Sequence, residues 1–317
     1  MEHARGPLLQ VRDLRQYFRI NRNFTVKAVD GISFDIHPGE TYGLVGESGS
    51  GKSTTGRSVI RLYEPTAGSI IFNGADISGR LTNAQTKMLR TSMQMIFQDP
   101  MASLNPREKI IDIIAQGLDI HHLYKNEAER RDKVYHILEC VGLSHEHANR
   151  YPHQFSGGQR QRIGIARALI MDPSLIIADE AISGLDVSIQ AQVVNLMKEM
   201  QRETGCAYLF IAHDLSMVKY ISDRIGVLHL GHLVEAGLTA EIFGNPVHPY
   251  TCSLLSAIPR ANPRAEKKSR TVGYDYAASG IRYEEGEQRL VSGTHYVLAT
   301  GEEFARWTKN EKGSDGQ

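Results

Sequence analysis

Residues 43–54 are Gly-Leu-Val-Gly-Glu-Ser-Gly-Ser-Gly-Lys-Ser-Thr, and the rest of the chain is best interpreted from them. A G-x-x-x-x-G-K-S motif begins at Gly46 and ends at Ser53. The apolar segment Thr41–Val45 predicts a strand before the motif, and the pattern of Thr54–Leu62 predicts a helix after it. Glycines let backbone N–H groups wrap around phosphate oxygens, and the positive end of a helix favours the same anion. The stretch therefore predicts a nucleotide-phosphate site.

Two side chains of the motif add chemistry to this loop. Lys52 can reach the β- and γ-phosphates of a nucleotide, and the Ser53 hydroxyl is placed to ligate Mg²⁺. An ordinary glycine-rich turn is the alternative, and the strand before the loop and the helix after it disfavour that alternative.

The composition sets limits on the class of protein. The 317 residues include 36 Lys and Arg against 36 Asp and Glu, so net charge gives no argument for nucleic acid or acidic lipid as the main partner. No run approaches the roughly 20 apolar residues that span a bilayer, and the N-terminus lacks the apolar core of a signal peptide. The three cysteines are isolated from one another, which suits a reducing compartment. These features predict a cytoplasmic protein whose membrane role, if any, comes through a partner.

Residues 8–36 alternate apolar and polar side chains, which predicts β-structure ahead of the loop. Tyr17 and Phe18 lie in this part of the chain. An aromatic ring here could stack on adenine, since base–aromatic stacking contributes about 1–3 kcal/mol. Packing of both rings in the core is the open alternative.

The run Leu175–Asp179 is apolar up to its last residue, which is typical of a buried parallel strand. Carboxylates at the C-terminal edge of such a strand lie where open α/β sheets bind ligands. Asp179 is therefore a candidate Mg²⁺ ligand, and Glu180 is a candidate general base for an attacking water.

Three further features are weak by themselves. Gln98 and His213 follow predicted strands, where a glutamine could lie beside Mg²⁺ and a histidine could donate to a γ-phosphate, but where both could also be structural. Ser156-Gly157-Gly158-Gln159 opens a predicted helix, which makes either an anion site or a simple capping turn. Residues 107–150 have a helical pattern and predict an insertion between two halves of an α/β domain.

Taken together, these motifs resemble an ABC-type ATPase over residues 8–258. The family's order of motifs is present: the phosphate loop, Gln98, Ser156–Gln159, the strand ending in Asp179 and Glu180, the turn Ser183–Asp186, and His213. A narrower similarity to the ATPase subunits of peptide and nickel importers lies in residues 97–107 (Phe-Gln-Asp-Pro-Met-Ala-Ser-Leu-Asn-Pro-Arg) and 245–251 (Asn-Pro-Val-His-Pro-Tyr-Thr). Residues 293–297 are similar to the second ATPase subunit of Gram-positive oligopeptide importers.

The resemblance implies an α/β fold. We expect a P-loop NTPase (RecA-like) core with an antiparallel β subdomain and an α-helical subdomain inserted at about residues 101–170. The ATPase domain is expected over residues 8–258, and a C-terminal extension over residues 259–317. In that extension the composition predicts a linker, a small segment containing strands, and a disordered end. It contains no cysteine, so the iron–sulfur cluster that many relatives bind is not expected.

The resemblance also implies roles for single residues. Glu180 would be the catalytic base, His213 would contact the γ-phosphate, and Phe18 or Tyr17 would stack on adenine. Mg²⁺ would lie near Ser53, Gln98 and Asp179. ATP phosphates would be bound by Gly46, Glu47, Ser48, Gly49, Ser50, Gly51, Lys52, Ser53 and Thr54. Ala181 stands where the family usually has proline, which should loosen the turn after Glu180 without removing chemistry.

The partners are implied in the same way. Ser156, Gly157, Gly158 and Gln159 would complete the site of a second ATPase subunit in a head-to-tail dimer, and Asp186 would connect the two sites. The dimer would provide the energy for transport through two membrane permease subunits. An extracellular solute-binding protein would deliver the cargo to them. The chain would then be a peripheral protein at the cytoplasmic face of the cell membrane.

The resulting expectation is an ATP-hydrolysing subunit of an oligopeptide importer. The same role in a dipeptide or nickel importer stays open, because the ATPase never touches the cargo; an exporter ATPase is also open. A non-transport ABC ATPase acting on DNA or ribosomes is disfavoured, since those proteins usually carry long coiled coils or tandem cassettes, and we expect no nucleic-acid partner. The presence of Glu180 and His213 disfavours a non-hydrolysing regulatory subunit.

Overall fold

Two β-sheets organise the chain, whose computed structural model describes residues 6–99, 103–257 and 273–309. The smaller sheet is antiparallel and has the strand order β2-β1-β4-β5. Its strands are β1 (Leu9–Arg19), β2 (Thr25–Ile36), β4 (Ala67–Phe72) and β5 (Ala75–Asp76). The alternating pattern of residues 8–36 therefore predicted β1 and β2 correctly.

The larger sheet has eight strands in the order β11-β12-β10-β9-β3-β8-β7-β6. The five strands from β9 to β6 in that order are parallel, and the three at the other side are antiparallel. The strands are β3 (Thr41–Val45), β6 (Met93–Ile96), β7 (Leu175–Asp179), β8 (Ala207–Ala212), β9 (Arg224–His229), β10 (His232–Leu238), β11 (Glu287–Ser292) and β12 (His295–Ala299).

Helices cover the parallel part of this sheet and form the insertion. In chain order, the described helices are α1 (Lys52–Val59), α2 (Asn83–Ser92), α3 (Ile110–His121), α4 (Glu127–Cys140), α5 (Gly157–Leu169), α6 (Val187–Thr204), α7 (Leu215–Ile221), α8 (Thr239–Gly244), α9 (Pro249–Ser256), α10 (Tyr276–Ser279) and α11 (Gly301–Lys309). The expected α/β fold with a P-loop core is confirmed. Helix α1 begins two residues earlier than predicted and ends before Arg61, whose left-handed backbone (φ 64°) does not continue a helix.

The central strands are buried on both faces because helices pack against them. Every residue of β3, β7 and β8 is buried. Helix α1 approaches so closely that a Cβ at Gly56 would lie 2.8 Å from a methyl carbon of Ile211 and 3.0 Å from one of Ile177. The continuous apolar runs in the sequence thus correspond to strands with no solvent face.

The insertion has an apolar centre that is continuous with the core beneath the large sheet. Ile110, Ile114 and Leu118 of α3 are buried, together with Val134 and Leu138 of α4. Outside this centre, Arg130 of α4 donates to Asp119 (2.7 Å) and Asp112 (3.2 Å) of α3, which fixes how the two helices lie against each other.

The C-terminal hairpin, β11 and β12, extends the large sheet. Strand β12 pairs with β10 at Glu235–Val297 and Ala236–Tyr296. Two strands thus lie within the C-terminal extension expected over residues 259–317, and they pair with the sheet of the ATPase core. The predicted linker at residues 259–270 lies outside the described residues, and so does the predicted disordered end, residues 309–317, except for Lys309, which is the last residue of α11.

Two buried histidines make stability depend on pH. Burial lowers the pKa of His248 to about 3 and that of His229 to about 4, against about 6.5 in an unfolded chain. The unfolded chain therefore binds more protons than the folded chain below pH 6.5. We expect the free energy of unfolding to fall as the pH is lowered from 6.5 towards 4.

Denaturant unfolding at several pH values measures this effect. Because carboxylates also contribute, the informative quantity is the slope of stability against pH, and His229→Gln should reduce that slope. The exposed His153→Gln is the matched control and should leave it unchanged. Equal slopes for wild type and His229→Gln would contradict the assignment.

Candidate active site

Four loops meet at one edge of the large sheet. The phosphate loop follows β3, Gln98 follows β6, Glu180 follows β7 and His213 follows β8. Because these strands are parallel, their C-terminal ends lie together, and ligands bind at this edge in open α/β sheets. The sequence separation of these residues is large, but the sheet brings them into one site.

The phosphate loop is pressed against two neighbouring strands. A Cβ at Gly46 would lie 2.1 Å from the carbonyl oxygen of Leu228, and one at Gly51 would lie 2.2 Å from that of Ala28. Gly51 also has φ 105°, which L side chains rarely adopt. The outer part of the loop, residues 47–49, is exposed to solvent. The loop is thus fixed at both ends and open to a ligand in the middle.

The Lys52 ammonium lies inside the loop. Its Nζ donates to the carbonyl oxygens of Gly46 (2.8 Å) and Glu47 (2.7 Å), and the residue is 4% exposed. Burial lowers the pKa of Lys52, and the negative charges of Glu180 and Asp179 act in the opposite direction. The positive charge is therefore held within the loop by backbone oxygens.

Ser53 and Asp179 offer oxygen atoms at one point. The Ser53 hydroxyl donates to Asp179 Oδ1 at 2.5 Å, and Arg57 Nη2 lies 3.4 Å from Asp179 Oδ2. Hydroxyl and carboxylate oxygens suit Mg²⁺, which usually keeps water and substrate phosphate as its other ligands. Within the described ranges, no group of three or more His, Cys, Asp or Glu could hold a metal by itself.

Glu180 lies between Gln98 and His213. Gln98 Nε2 donates to Glu180 Oε2 at 2.8 Å, and His213 Nδ1 lies 3.8 Å from Glu180 Oε1. Glu180 has a left-handed backbone (φ 48°), and its N–H donates to the carbonyl of Ile211 in the adjacent strand. A strained residue held by its surroundings is characteristic of functional sites. A cavity of about 520 Å³ opens in front of the three side chains.

The predicted anion site at the start of α5 faces outward. Ser156 and Gln159 form a capping box, in which Ser156 Oγ accepts from Gln159 N–H and Gln159 Oε1 accepts from Ser156 N–H. Ser156 and Gly157 are exposed, while a Cβ at Gly158 would lie 2.6 Å from a side-chain carbon of Ile189. Among the described residues, no hydrogen bond joins this segment to the phosphate loop of its own chain. Its role towards a partner stays a prediction.

Asp186, the N-cap residue of α6, is also exposed, beside Val187, whose exposed fraction is 77%.

The two aromatic candidates for adenine stacking differ in their surroundings. The Tyr17 hydroxyl donates to Asp30, whereas Phe18 packs edge-on against Tyr63 just after α1, with 5.3 Å between ring centroids. The geometry therefore favours Phe18 as the ring beside the phosphate-loop helix.

Two contacts of the site were not predicted from the sequence. Arg57 lies four residues after Ser53, hence on the same face of α1, and that spacing could have indicated its contact with Asp179. The Tyr250 hydroxyl accepts a hydrogen bond from the Glu47 N–H at 2.9 Å, across 203 residues of sequence. Nothing in the local sequence pattern indicates this second contact.

The glycine-rich loop, its buried lysine and the strand-end carboxylates define a P-loop nucleotide-binding protein. Solved structures agree with this class. The chain is 26% identical to the dimeric ATP-binding cassette MJ0796 in a post-hydrolysis state bound to ADP and Pi, with a TM-score of 0.67 over 73% of this chain and 98% of that one. It is 28% identical to cbiO1 of Clostridium perfringens, part of an ABC transporter complex, with a TM-score of 0.67 over 76% and 92%.

Residues 29–183 match the family model for ABC transporters, and residues 234–284 match that for the oligopeptide/dipeptide transporter C-terminal region. The chain is 60% identical to the oligopeptide transport ATP-binding protein OppF of Bacillus subtilis over 94% of this chain and 97% of that protein. It is 53% identical to OppF of Streptococcus mutans over 98% and 100%. The chain belongs to the ABC transporter family of ATP-binding proteins, and it is an ATPase.

The family and the ATPase activity predicted from the sequence are therefore confirmed, while the roles of the individual residues stay predictions. None of the helices in the described parts of the chain has the length and apolar character needed to cross a bilayer.

We expect Lys52→Ala to weaken ATP binding about 10- to 100-fold, because hydrogen bonds from a charged donor to phosphate are lost. Displacement of a fluorescent nucleotide from the purified chain measures the Kd. The exposed Lys125→Ala carries the same charge change outside the site and should bind ATP as wild type does. Unchanged affinity in Lys52→Ala would count against the phosphate-loop assignment.

Proposed function

We propose that this chain is the subunit that hydrolyses ATP to energise import of oligopeptides through a membrane permease. The observation that carries the proposal is the near-complete coverage of proteins named for oligopeptide transport, 94–98% of this chain at 53–60% identity. This similarity includes the C-terminal region as well as the ATPase core, and the former is the part specific to oligopeptide and dipeptide transporters.

ATP binds at the phosphate loop in this proposal. The Lys52 ammonium exchanges its carbonyl partners for the β- and γ-phosphates, and Phe18 stacks on adenine. Ser53 and Asp179 would hold Mg²⁺, which would supply positive charge to neutralise the phosphate oxygens. The short distance between the Ser53 hydroxyl and the Asp179 carboxylate supports this pairing.

Glu180 acts as the general base. The Gln98 amide holds one carboxylate oxygen, so the other is free to take a proton from a water that attacks the γ-phosphate. His213, 57% exposed, donates a hydrogen bond to the γ-phosphate, and its closeness to Glu180 supports a shared role at the same phosphate. Hydrolysis then depends on a carboxylate whose position is fixed by a neighbour on the next strand.

A second ATPase subunit completes the site. Ser156 and Gly157 at the start of α5 are exposed, and the positive end of this helix suits the γ-phosphate held by another chain. In a head-to-tail dimer, ATP lies between the two chains, and neither chain alone neutralises the negative charge of its phosphates. ATP binding therefore favours the closed dimer, and hydrolysis releases that dimer. The dimeric state of the cassette MJ0796 supports this arrangement.

A groove of about 760 Å³ between the core and the helical insertion is the proposed docking site for the permease. Three exposed apolar side chains line it: Leu62 (58% exposed), Phe97 (36%) and Ile120 (64%). Gln98 lines both this groove and the cavity in front of Glu180. Gln98 thereby offers a physical link from the catalytic site to the docked permease. Docking would place the chain as a peripheral protein at the cytoplasmic face of the cell membrane. A permease pair and a solute-binding protein complete the proposed transporter.

Dipeptides are the second candidate cargo. The chain is 49% identical to the dipeptide transport ATP-binding protein DppF of Lactococcus lactis over 96% of this chain and 97% of that protein. A growth experiment distinguishes the two candidate cargoes. The gene is deleted in an amino-acid auxotroph, and growth is measured on peptides of two to five residues that supply the amino acid. Failure on tetra- and pentapeptides alone supports oligopeptide import, failure on dipeptides alone supports the second candidate, and growth on all of them contradicts both.

We expect Glu180→Gln to lower kcat by about 10²- to 10⁴-fold, because the amide cannot accept the water's proton, while ATP affinity stays within a few-fold of wild type. ATPase assays on the chain assembled with its partner subunit, together with nucleotide binding, measure both quantities. Glu127→Gln, at an exposed position of α4, is the control and should hydrolyse ATP normally. Hydrolysis at an unreduced rate in Glu180→Gln would show that another group is the base.

A further inference from the structure

A tyrosine from the C-terminal region is bonded directly to the phosphate loop. Tyr250 lies in α9, is 1% exposed, and its hydroxyl accepts the Glu47 N–H at 2.9 Å. Burial raises the pKa of Tyr250 to about 12, so the hydroxyl is neutral at physiological pH. This loop amide is therefore occupied by a protein partner, which limits where the start of the loop can move.

The position of Tyr250 is fixed by two histidines. The Tyr250 N–H donates to His248 Nδ1 at 3.1 Å, so His248 caps α9, and Pro249 opens the helix. The Tyr250 ring packs against His229, with 4.1 Å between centroids. Because His248 is fully buried and neutral, its Nδ1 remains an acceptor through the physiological pH range.

A buried carboxylate connects this helix start to the C-terminal hairpin. Glu235 of β10 accepts hydrogen bonds from the backbone N–H groups of Val247 (2.7 Å) and His248 (3.0 Å). His295 Nε2 of β12 lies 2.7 Å from Glu235 Oε1, and both side chains are fully buried. A continuous series of contacts therefore runs from the C-terminal hairpin through Glu235, His248 and Tyr250 to the phosphate loop.

We propose that Tyr250 is a positioning residue for the phosphate loop, and that the C-terminal hairpin sets its position through His295 and Glu235. This inference rests on the proposed role of the loop in ATP binding. It assigns a function to the oligopeptide/dipeptide C-terminal region, residues 234–284, which contains Glu235, His248 and Tyr250. A phenylalanine at position 250 would fill the same space, so only the hydroxyl is specific to the loop contact.

Tyr250→Phe tests the hydroxyl alone. We expect the Kd for ATP to rise about 3- to 10-fold, the usual effect of one lost hydrogen bond, with the fold unchanged by circular dichroism. Tyr276→Phe removes a hydroxyl from the same aromatic cluster, 5.6 Å from His229 by ring centroids, without touching the loop. It should bind ATP as wild type does. Equal affinities of Tyr250→Phe and Tyr276→Phe would overturn the positioning role.

The fluorescence of the chain's single tryptophan gives a second measurement. A purely structural role of Tyr250 would not change how this fluorescence responds to ATP. Trp307 of α11 packs edge-on against His248, with 5.1 Å between ring centroids. If the series of contacts transmits changes, saturating ATP should alter Trp307 emission in wild type and in Tyr276→Phe, and the change should be at least halved in Tyr250→Phe. No ATP-dependent change in wild type, or an equal change in all three proteins, would overturn the link to the hairpin.

Lys52→Ala separates this inference from the assignment on which it rests. If Lys52→Ala binds ATP as tightly as wild type, the phosphate-loop assignment itself is wrong, and the proposed positioning role is overturned with it. If Lys52→Ala loses affinity while Tyr250→Phe does not, the loop assignment stands and the role of Tyr250 is overturned. Loss of affinity in both variants, with a diminished Trp307 response in Tyr250→Phe, supports the full proposal.

Discussion

The close contact between the phosphate loop and its neighbouring strands is the constraint on which the rest of the structure depends. At Gly46 and Gly51 a Cβ would lie within 2.2 Å of a backbone carbonyl oxygen, so the loop follows its path only with glycine at these points. That path encloses the Lys52 ammonium in backbone oxygens. A positive charge is thereby stored beside Asp179 and Glu180, and a nucleotide phosphate can take over the contacts that the carbonyls now make.

The parallel sheet converts this local constraint into a catalytic arrangement. The strands deliver functional groups at their C-terminal ends, with Asp179 and Glu180 both at the end of β7, and neighbouring groups hold one another: Ser53 donates to Asp179, and Gln98 donates to Glu180. The left-handed backbone of Glu180 is kept in place by its hydrogen bond to Ile211. Since the groups come from several strands that are far apart in the sequence, the order of strands in the sheet determines the chemistry more than the order of residues in the chain.

Much of this arrangement could be predicted from sequence because its signals are local. The strand Thr41–Val45 has the predicted bounds, and the run Leu175–Asp179, interpreted as a buried parallel strand, is strand β7. Pairings between distant segments could not be predicted. The addition of the C-terminal hairpin to the large sheet and the contact of Tyr250 with Glu47 each join segments tens to hundreds of residues apart, and no periodicity in either segment records its partner. The same reason explains why the different surroundings of Tyr17 and Phe18 could not be predicted.

The place of the C-terminal hairpin in the sheet has a consequence for synthesis on the ribosome. Strand β10 leaves the ribosome about 60 residues before β12, its outer neighbour. During that interval the backbone N–H and C=O groups along the outer side of β10 have no strand to pair with, and such an open edge is a template for wrong association. The pairing of β12 with β10 thus makes translation beyond residue 299 part of the protection against aggregation.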